Sequence, residues 1–518
     1  MPSWPAASPA SPVAEAPTRR MALHRFHGGV ALAGHKSEST GQGLQPCLMP
    51  ARLNLSLLQH SGLPARACVV AGETVAAGQR IGVAEGELSA DVHSPCAGLV
   101  LAVESRALAR FPGQDAQHVV IETNTALSVH ALPALDWQTC DPAALRERIR
   151  EAGVVGLGGA GYPTAGKLSV ARELLVLNGA ECEPWIACDD ALLREHADEV
   201  VRGGQLLARA VGARRVLLAV EDSMPEALAA ARAAVAALGH VGIDVVPVPT
   251  IYPAGGERQL IQVLTGQEVP RGGLPRDIAV IVHNVATARA AWRAVALGEV
   301  LSSRVVTVTG PGVARAGNFV VPIGTSVAHL VEQAGGYTHQ AARLLLGGPM
   351  MGHALPHDDF PIGKQDNCVL VLSSDETAER GPEMPCIRCG DCARACPAQL
   401  LPQQLLWHVR ADNLPRAQDQ GIFDCIECGC CDVVCPSHIP LTEPFRRAKR
   451  DIRDRAAETE RALAARDRHA KRQQRLERES AEREERHQAR KAGSVGADAV
   501  AAALARARAK PSPGPDSD

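Results

Sequence analysis

The 518-residue sequence predicts a multidomain α/β protein, and three successive patterns carry that prediction. Short apolar stretches punctuated by glycines come first, strand–helix alternation follows, and a doubled cysteine run stands near the end. One core cannot organise this length, because chains beyond about 250–300 residues split into domains. A net charge of −3 and 3% aromatic residues give no basic surface and few stacking platforms, which excludes nucleic-acid binding. No apolar run reaches the roughly 18 residues of a membrane span. The Pro/Ala/Ser-rich start, Met1 to Arg20, lacks a signal peptide's apolar stretch. The expectation is a cytosolic chain that meets a membrane only through a partner.

Residues 1–22 read as a disordered tail, since so few large apolar side chains do not offset ordering entropy. In 23–134, Val75, Ile81, Val83, Val92, Leu99, Leu101 and Val103 sit on short strand-like stretches with Gly72, Gly78, Gly82, Gly86 and Gly98 at turns, which is a small all-β domain. In 135–300, the apolar runs Leu174–Leu177, Val216–Val220, Val245–Val248 and Ile278–Val282 read as buried strands. Ala-rich helices such as Pro225–Leu238 and Ala286–Leu297 lie between them, so a parallel or mixed sheet is expected. Residues 301–375 are β-rich with one helix, Ser326–Gln333, ended by Gly335-Gly336. The cysteine region occupies 376–445. Beyond it, Arg446–Lys491 carries 17 basic and 10 acidic residues, with Asp467/Lys471, Glu479/Arg483 and Glu482/Arg486 at i,i+4. That predicts a long solvated helix in 446–518, ending in a disordered tail from Pro511.

Nine of the 16 cysteines fall between Cys386 and Cys435, and in reducing cytosol such clustering argues for metal over disulfides. Cys386-x-x-Cys389-x-x-Cys392-x-x-x-Cys396-Pro397 is the bacterial ferredoxin run, and Cys425, Cys428, Cys431, Cys435 and Pro436 repeat it. In two-cluster proteins the fourth cysteine of each run reaches the other cluster. One 4Fe–4S cluster is therefore expected on Cys386, Cys389, Cys392 and Cys435, and another on Cys425, Cys428, Cys431 and Cys396. Zinc, the alternative, does not call for eight thiolates in this doubled spacing. Leu401, Leu405, Leu406 and Val409 between the runs keep near-helical spacing, so the domain should be of the helical dicluster kind. Cys430 fits no ligand spacing and reads as a packing residue, as do the seven cysteines outside the runs.

The glycine-rich loop has several readings. Gly156-Leu157-Gly158-Gly159-Ala160-Gly161, with Glu181 at the end of a strand 20 residues on, satisfies the dinucleotide fingerprint. Gly161-x-x-x-x-Gly166-Lys167 approaches a phosphate-binding P-loop, but Leu168 stands where a Mg²⁺-binding hydroxyl belongs and Pro163 removes a backbone donor. A turn cluster without a ligand is the plain alternative.

A resemblance adds a further reading. Gly158-Gly159-Ala160-Gly161-Tyr162-Pro163-Thr164 with Lys167 is similar to the flavin loop of the complex I flavoprotein subunit. Asn178-Gly-Ala-Glu181-Cys-Glu183-Pro184, Gly256-Glu257 and His283-Asn284-Val285 resemble later motifs of that family. The resemblance implies an FMN site built from Gly158, Gly159, Gly161, Lys167, Asn178, Glu181, Glu257 and Asn284. It also implies that Glu183 positions the nicotinamide of NADH and Tyr162 stacks on the adenine. Ala180 and Val170 depart from that family's pattern, which bears on NADH more than on FMN. From His24-Arg25-Phe26-His27-Gly28-Gly29-Val30 through residue 450 the chain resembles the RnfC (RsxC) family, peripheral subunits of Rnf electron-transport complexes. That implies a barrel-sandwich-hybrid half-barrel, a complex I flavoprotein-like α/β domain, a β-grasp-like SLBB domain and a dicluster ferredoxin domain.

What the resemblance implies for function is an electron-input subunit that passes electrons between NADH, FMN and two 4Fe–4S clusters. Its partners would be the membrane-embedded and iron–sulfur subunits of an ion-translocating complex, and its location the cytoplasmic side of a bacterial inner membrane. The alternatives are a soluble flavin/iron–sulfur reductase of the cobalamin-reductase type, or a relay without flavin. Residues 69–104 also resemble biotinyl and lipoyl carriers, but no lysine lies between Val69 and Val103 to carry a swinging arm.

Overall fold

A computed structural model describes residues 22–86, 88–124, 129–239, 242–377 and 381–509. Of the expected tails, residues 1–21 and 511–518 lie outside the described residues. The chain divides between Phe445 and Arg446 into a large unit and a C-terminal one.

In the N-terminal β domain, period-two patterning puts the fully buried Leu53 and Leu55 of strand Arg52–Ser56 on one face. That strand joins a four-stranded antiparallel sheet in the order Arg52–Ser56, Phe111–Thr123, Gly98–Leu108, Thr74–Val75. A second sheet, Arg66–Ala67, Arg80–Val83 and Val92–His93, shares its core through Ile81 and Val92. The two longest strands form a hairpin whose two-residue turn is Ala109–Arg110.

Four apolar strands build the parallel sheet of the next domain, in the order Ile243–Val248, Arg215–Glu221, Leu174–Gly179, Val280–Asn284. Their near-continuous burial is what a sheet covered on both faces requires. Counted along the chain the order is 3-2-1-4, so the winding direction reverses between Leu174–Gly179 and Val280–Asn284. The last strand starts two residues later than its apolar run suggests, because Pro275–Ile278 closes into a 3₁₀ turn and Ala279 takes φ 55°. The long helix Cys188–Val211, which periodicity in the sequence did not single out, crosses helix Val285–Trp292 at Gly203. A Cβ there would stand 2.1 Å from the Ala288 carbonyl oxygen. Gly203→Val should therefore cost about 1–3 kcal/mol by overpacking, read as a lower urea midpoint at unchanged slope. An unchanged midpoint would mean the crossing is not tight.

The third domain is a six-stranded mixed sheet with helix Val327–Gln333, whose N-cap Ser326 accepts from His329 N–H. One edge is Gln45–Pro46, paired in parallel with Gly317–Pro322. The N-terminal segment thus completes a sheet whose other strands lie far along the chain, from Ser303 onward, which its local sequence does not announce. The cysteine domain is helical, with Pro402–Arg410 and Leu414–Asp419 between the runs. Of the seven outlying cysteines, Cys47, Cys96, Cys188 and Cys368 are buried as expected, Cys140 and Cys182 are half-buried, and Cys68 is exposed, a departure from the packing role.

The C-terminal unit is one helix, the continuation of Thr442–Arg508, and its described residues from Arg453 onward are exposed. Glu482–Arg486 pairs at 3.8 Å, while Glu479 pairs backwards with Arg475 at 3.6 Å. No helix is long and apolar enough to cross a membrane among the described residues.

Candidate functional site

Open parallel sheets bind ligands where the winding reverses, beyond the carboxyl ends of the strands. Here Asn178 is the penultimate residue of the first strand and Asn284 the last of the fourth, in register with each other. Asn284 caps helix Val285–Trp292 by accepting from Ala286 N–H at 2.9 Å, and its amide donates to Asp189 Oδ2 at 2.5 Å and to the Asn178 carbonyl at 3.4 Å. Asn178 accepts from Ala180 N–H and donates to the Gly255 carbonyl at 2.9 Å. Both amides thus hold the crevice walls together, and only part of their bonding capacity is left for a ligand.

The glycine loop lies over this crevice. Gly158 stands against Asn284, with 3.1 Å between an added Cβ and the Asn284 Cβ. Gly159 has φ 107° and open space beside it, and Gly161 has φ 60°, conformations a side chain would strain. Gly156 N–H to Tyr162 O (2.9 Å) and Gly161 N–H to Gly156 O (3.1 Å) close the loop. Lys167 ends the short helix Thr164–Lys167, donates to Glu257 at 3.0 Å and to the Val282 carbonyl at 3.4 Å, and stands 5.9 Å from the Tyr162 ring centre. His283 is buried with Nε2 unpartnered, and burial together with the Lys167 charge pushes its imidazole down to about 3, so it is neutral.

The acidic residues of the motif go elsewhere. Glu181 is buried and accepts from Cys188 Sγ (3.2 Å) and the Asp189 and Asp190 N–H groups (3.1 and 3.3 Å), where it satisfies the N-terminus of helix Cys188–Val211. Lys36 approaches it at 3.6 Å. Desolvation and the Glu181 charge push the neighbouring Asp189 carboxyl well up. Glu183 reaches the 347–351 loop, its Oε1 accepting from Met350 and Met351 N–H at 2.8 and 2.9 Å.

The cysteines sort into two cavities. Cys386, Cys389, Cys392 and Cys435 line one, beside Ile387 and Trp407. Cys396, Cys425, Cys428 and Cys431 line the other, beside Cys430 and Phe445. Each cavity thus takes three thiols from one run and the fourth from the other, and no cysteine is in a disulfide among the described residues. Cys430 is fully buried in an apolar cluster with Tyr252, Ala395 and Cys428. Sequence reasoning missed the link between this set and the parallel sheet. Tyr252 donates from its buried hydroxyl to the Cys428 carbonyl at 2.7 Å, and His27 Nδ1 donates to the Cys396 carbonyl at 3.0 Å. Val30 pairs with Tyr252, and Met350 lies over Gly429.

These donor sets fit the groups the sequence implies. Four thiols per cavity suit a 4Fe–4S cluster. A strained glycine loop at a winding reversal, with a lysine and an orphaned buried imidazole nitrogen, suits a phosphorylated planar cofactor.

Comparison with known proteins agrees. Residues 24–126 match the RnfC barrel sandwich hybrid domain, 149–293 the Nuo51 FMN-binding domain, 305–354 the SLBB domain and 385–440 the 4Fe-4S dicluster domain. The chain is 44% identical over 469 residues to the RnfC-type (C) component of the ion-translocating oxidoreductase complex of Pseudomonas aeruginosa strain PAO1, covering 89% of this chain and 60% of that one. Its counterpart in Pectobacterium atrosepticum is 40% identical over 93% of this chain and 70% of its own length. A solved chain of an NAD+-reducing nickel–iron hydrogenase superposes with a TM-score of 0.44 at 22% identity, covering 60% of this chain and 61% of that one. The chain spans about three fifths of the length of the Pseudomonas relative. It carries an FMN-binding domain and a 4Fe–4S dicluster domain, and it belongs to the RnfC family, the C subunits of ion-translocating oxidoreductase complexes.

Proposed function

We propose that this chain is the electron-input subunit of an ion-translocating oxidoreductase complex. It exchanges electrons with NADH and passes them to or from other subunits, including membrane-embedded and iron–sulfur ones, from a peripheral position on the cytoplasmic side of a bacterial inner membrane. The observation that carries the reading is the hydrogen bond from Tyr252 to the Cys428 carbonyl. It joins the parallel sheet with its glycine loop to one thiol cavity within a single compact unit. Gly158, Gly159, Gly161 and Lys167 would hold FMN, with Asn178, Asn284, Glu181 and Glu257 shaping the crevice. The flavin supplies the exchange between a two-electron hydride donor and one-electron acceptors. The backbone around Cys396, Cys428 and Gly429 is met by Tyr252 of that domain and by His27 and Met350 of its two neighbours. Cys386 and Cys389 are exposed, next to Ile387 at 68% exposure. This supports the Cys386-side cavity as the face that meets an external redox partner.

The nicotinamide role of Glu183 is part of the proposal. Its carboxylate lies at the motif's end, beyond the first strand, and its Oε1 is anchored by two backbone donors. Glu183→Gln keeps an oxygen for those donors but removes the charge. It should leave FMN content unchanged and slow flavin bleaching by NADH by about ten- to a hundredfold, the worth of a bond to a charged group. Stopped-flow absorbance reads it. Wild-type speed, or FMN lost together with rate, would remove Glu183 from that role. For the function as a whole, anaerobic protein holding FMN and both clusters should be bleached in flavin and cluster bands by NADH. A chain that takes electrons only from dithionite would favour the relay without flavin.

A further inference from the structure

The carbonyl oxygens of the glycine loop are held from outside its own domain. Leu157 O accepts from Arg304 Nη2 at 3.2 Å and Gly159 O from Arg110 Nη1 at 3.4 Å. Ala160 O accepts from Ser61 Oγ at 2.8 Å, and Gly161 O from Ser61 N–H at 2.9 Å. Ser61 and Arg110 belong to the N-terminal β domain, and Arg110 is at the tip of its longest hairpin. Arg304 is the second residue of strand Ser303–Thr309 in the third domain.

Both arginines are themselves fixed by one short turn of that third domain. Arg304 Nη1 donates to Lys364 O at 2.6 Å, Arg110 Nη2 to Gln365 O at 2.7 Å, and Arg110 Nε pairs with Asp366 at 2.8 Å. The Gln365 amide fills the space a Cβ on Gly161 would occupy, 1.9 Å away. Among the described residues, the N–H groups of Gly158, Gly159 and Ala160 have no acceptor in the protein.

A peptide unit whose oxygen is drawn to one side presents its N–H to the other. Successive amides turned the same way make an anion-binding concavity. Isolated, a glycine-rich loop samples both orientations cheaply, and an inward carbonyl would repel a phosphate. The Arg304 and Arg110 bonds remove that alternative for the Gly158 and Ala160 amides, and the two guanidinium groups add positive charge behind the loop, whereas Ser61 holds the next two carbonyls, where the Gly161 amide is already bonded to Gly156 O.

We propose that Arg110 and Arg304 are positioning residues for the phosphate end of the flavin, so that two neighbouring domains set the loop's peptide orientation. This rests on the flavin reading above. The full chain is stripped of flavin and titrated, by quenching of flavin fluorescence, with FMN and with riboflavin, which lacks the phosphate. Arg304 is buried, so Arg110→Gln and Ser61→Ala are the variants to use.

Arg110→Gln should weaken FMN about tenfold or more, as loss of a charge-assisted bond does, and riboflavin by much less. Ser61→Ala, which removes a loop contact without reorienting an open amide, should change FMN affinity by much less. Arg110→Lys should stay weak, because an ammonium cannot bond Gly159, Gln365 and Asp366 at once. The electron paramagnetic resonance of the dithionite-reduced clusters should be unchanged in all three. Equal losses for FMN and riboflavin, unchanged FMN affinity in Arg110→Gln, or full rescue by lysine would each overturn the positioning role. Wild-type protein that binds neither flavin would sink the flavin reading and this proposal with it.

Discussion

Cys396→Ser should cost the protein the cluster proposed for Cys425, Cys428 and Cys431, although Cys396 lies in the first run. Anaerobically reconstituted wild-type protein should carry about eight iron atoms, and the variant about four. The reason is spatial: the Cys396 thiol lines the cavity of the second-run cysteines, and its own run is completed by Cys435. Cys396 is buried, so no water-filled surface site offers a substitute ligand for the vacated corner, and serine is a poor ligand for iron held by thiolates. Iron assay and electron paramagnetic resonance after dithionite reduction would identify which cluster is gone. Loss of the cluster of Cys386, Cys389 and Cys392 instead would sink the crossed assignment. The matching change, Cys435→Ser, should give the mirror-image spectrum.

Lys167→Ala should separate flavin chemistry from cluster chemistry. The lysine is about one-third exposed and paired with Glu257, so its removal from the fold costs only about 0–1 kcal/mol. Its removal from the loop costs far more, because the Glu257 carboxylate then faces the crevice without its counter-ion and repels a phosphate. Flavin retained after desalting should fall at least about tenfold, and NADH should no longer bleach the cluster bands. Dithionite should reduce the clusters as in the wild type, since all eight thiols are untouched. Full flavin content in the variant would show that the ammonium is not part of the flavin site. Loss of dithionite-reducible clusters would point to general unfolding instead.

The two cofactor regions were legible in the sequence to different depths. Spacing in the cysteine runs is local, since each run places three thiols within seven residues, and the fourth thiol of each run lines the other run's cavity. The strands that carry Asn178 and Asn284 were visible as apolar runs, because strands covered on both faces need little else. Glu181 shows where such reading stops. Its place after the first strand suited a ribose-binding acid, yet its oxygens satisfy helix N-terminal amides. The helix that needs them, Cys188–Val211, had not been singled out. Cys68 shows the same limit for burial: a lone cysteine has no pattern to say which face it takes.

Fold class, the succession of domain types, the two cysteine runs and the glycine loop were legible in the sequence alone, through periodicity and spacing that act over a few residues. Tertiary structure alone decided the sheet order that brings Asn178 beside Asn284, and the docking of Tyr252 and His27 on the Cys428 and Cys396 carbonyls. It also decided the clamp of Ser61, Arg110 and Arg304 on the glycine loop, and the pull of Glu183 onto the 347–351 loop. In each of these contacts a side chain meets a backbone group 49 to 369 positions away. Every residue carries that same backbone donor and acceptor, so nothing in the local sequence marks which one will be met. Only the packing of four domains against one another selects it.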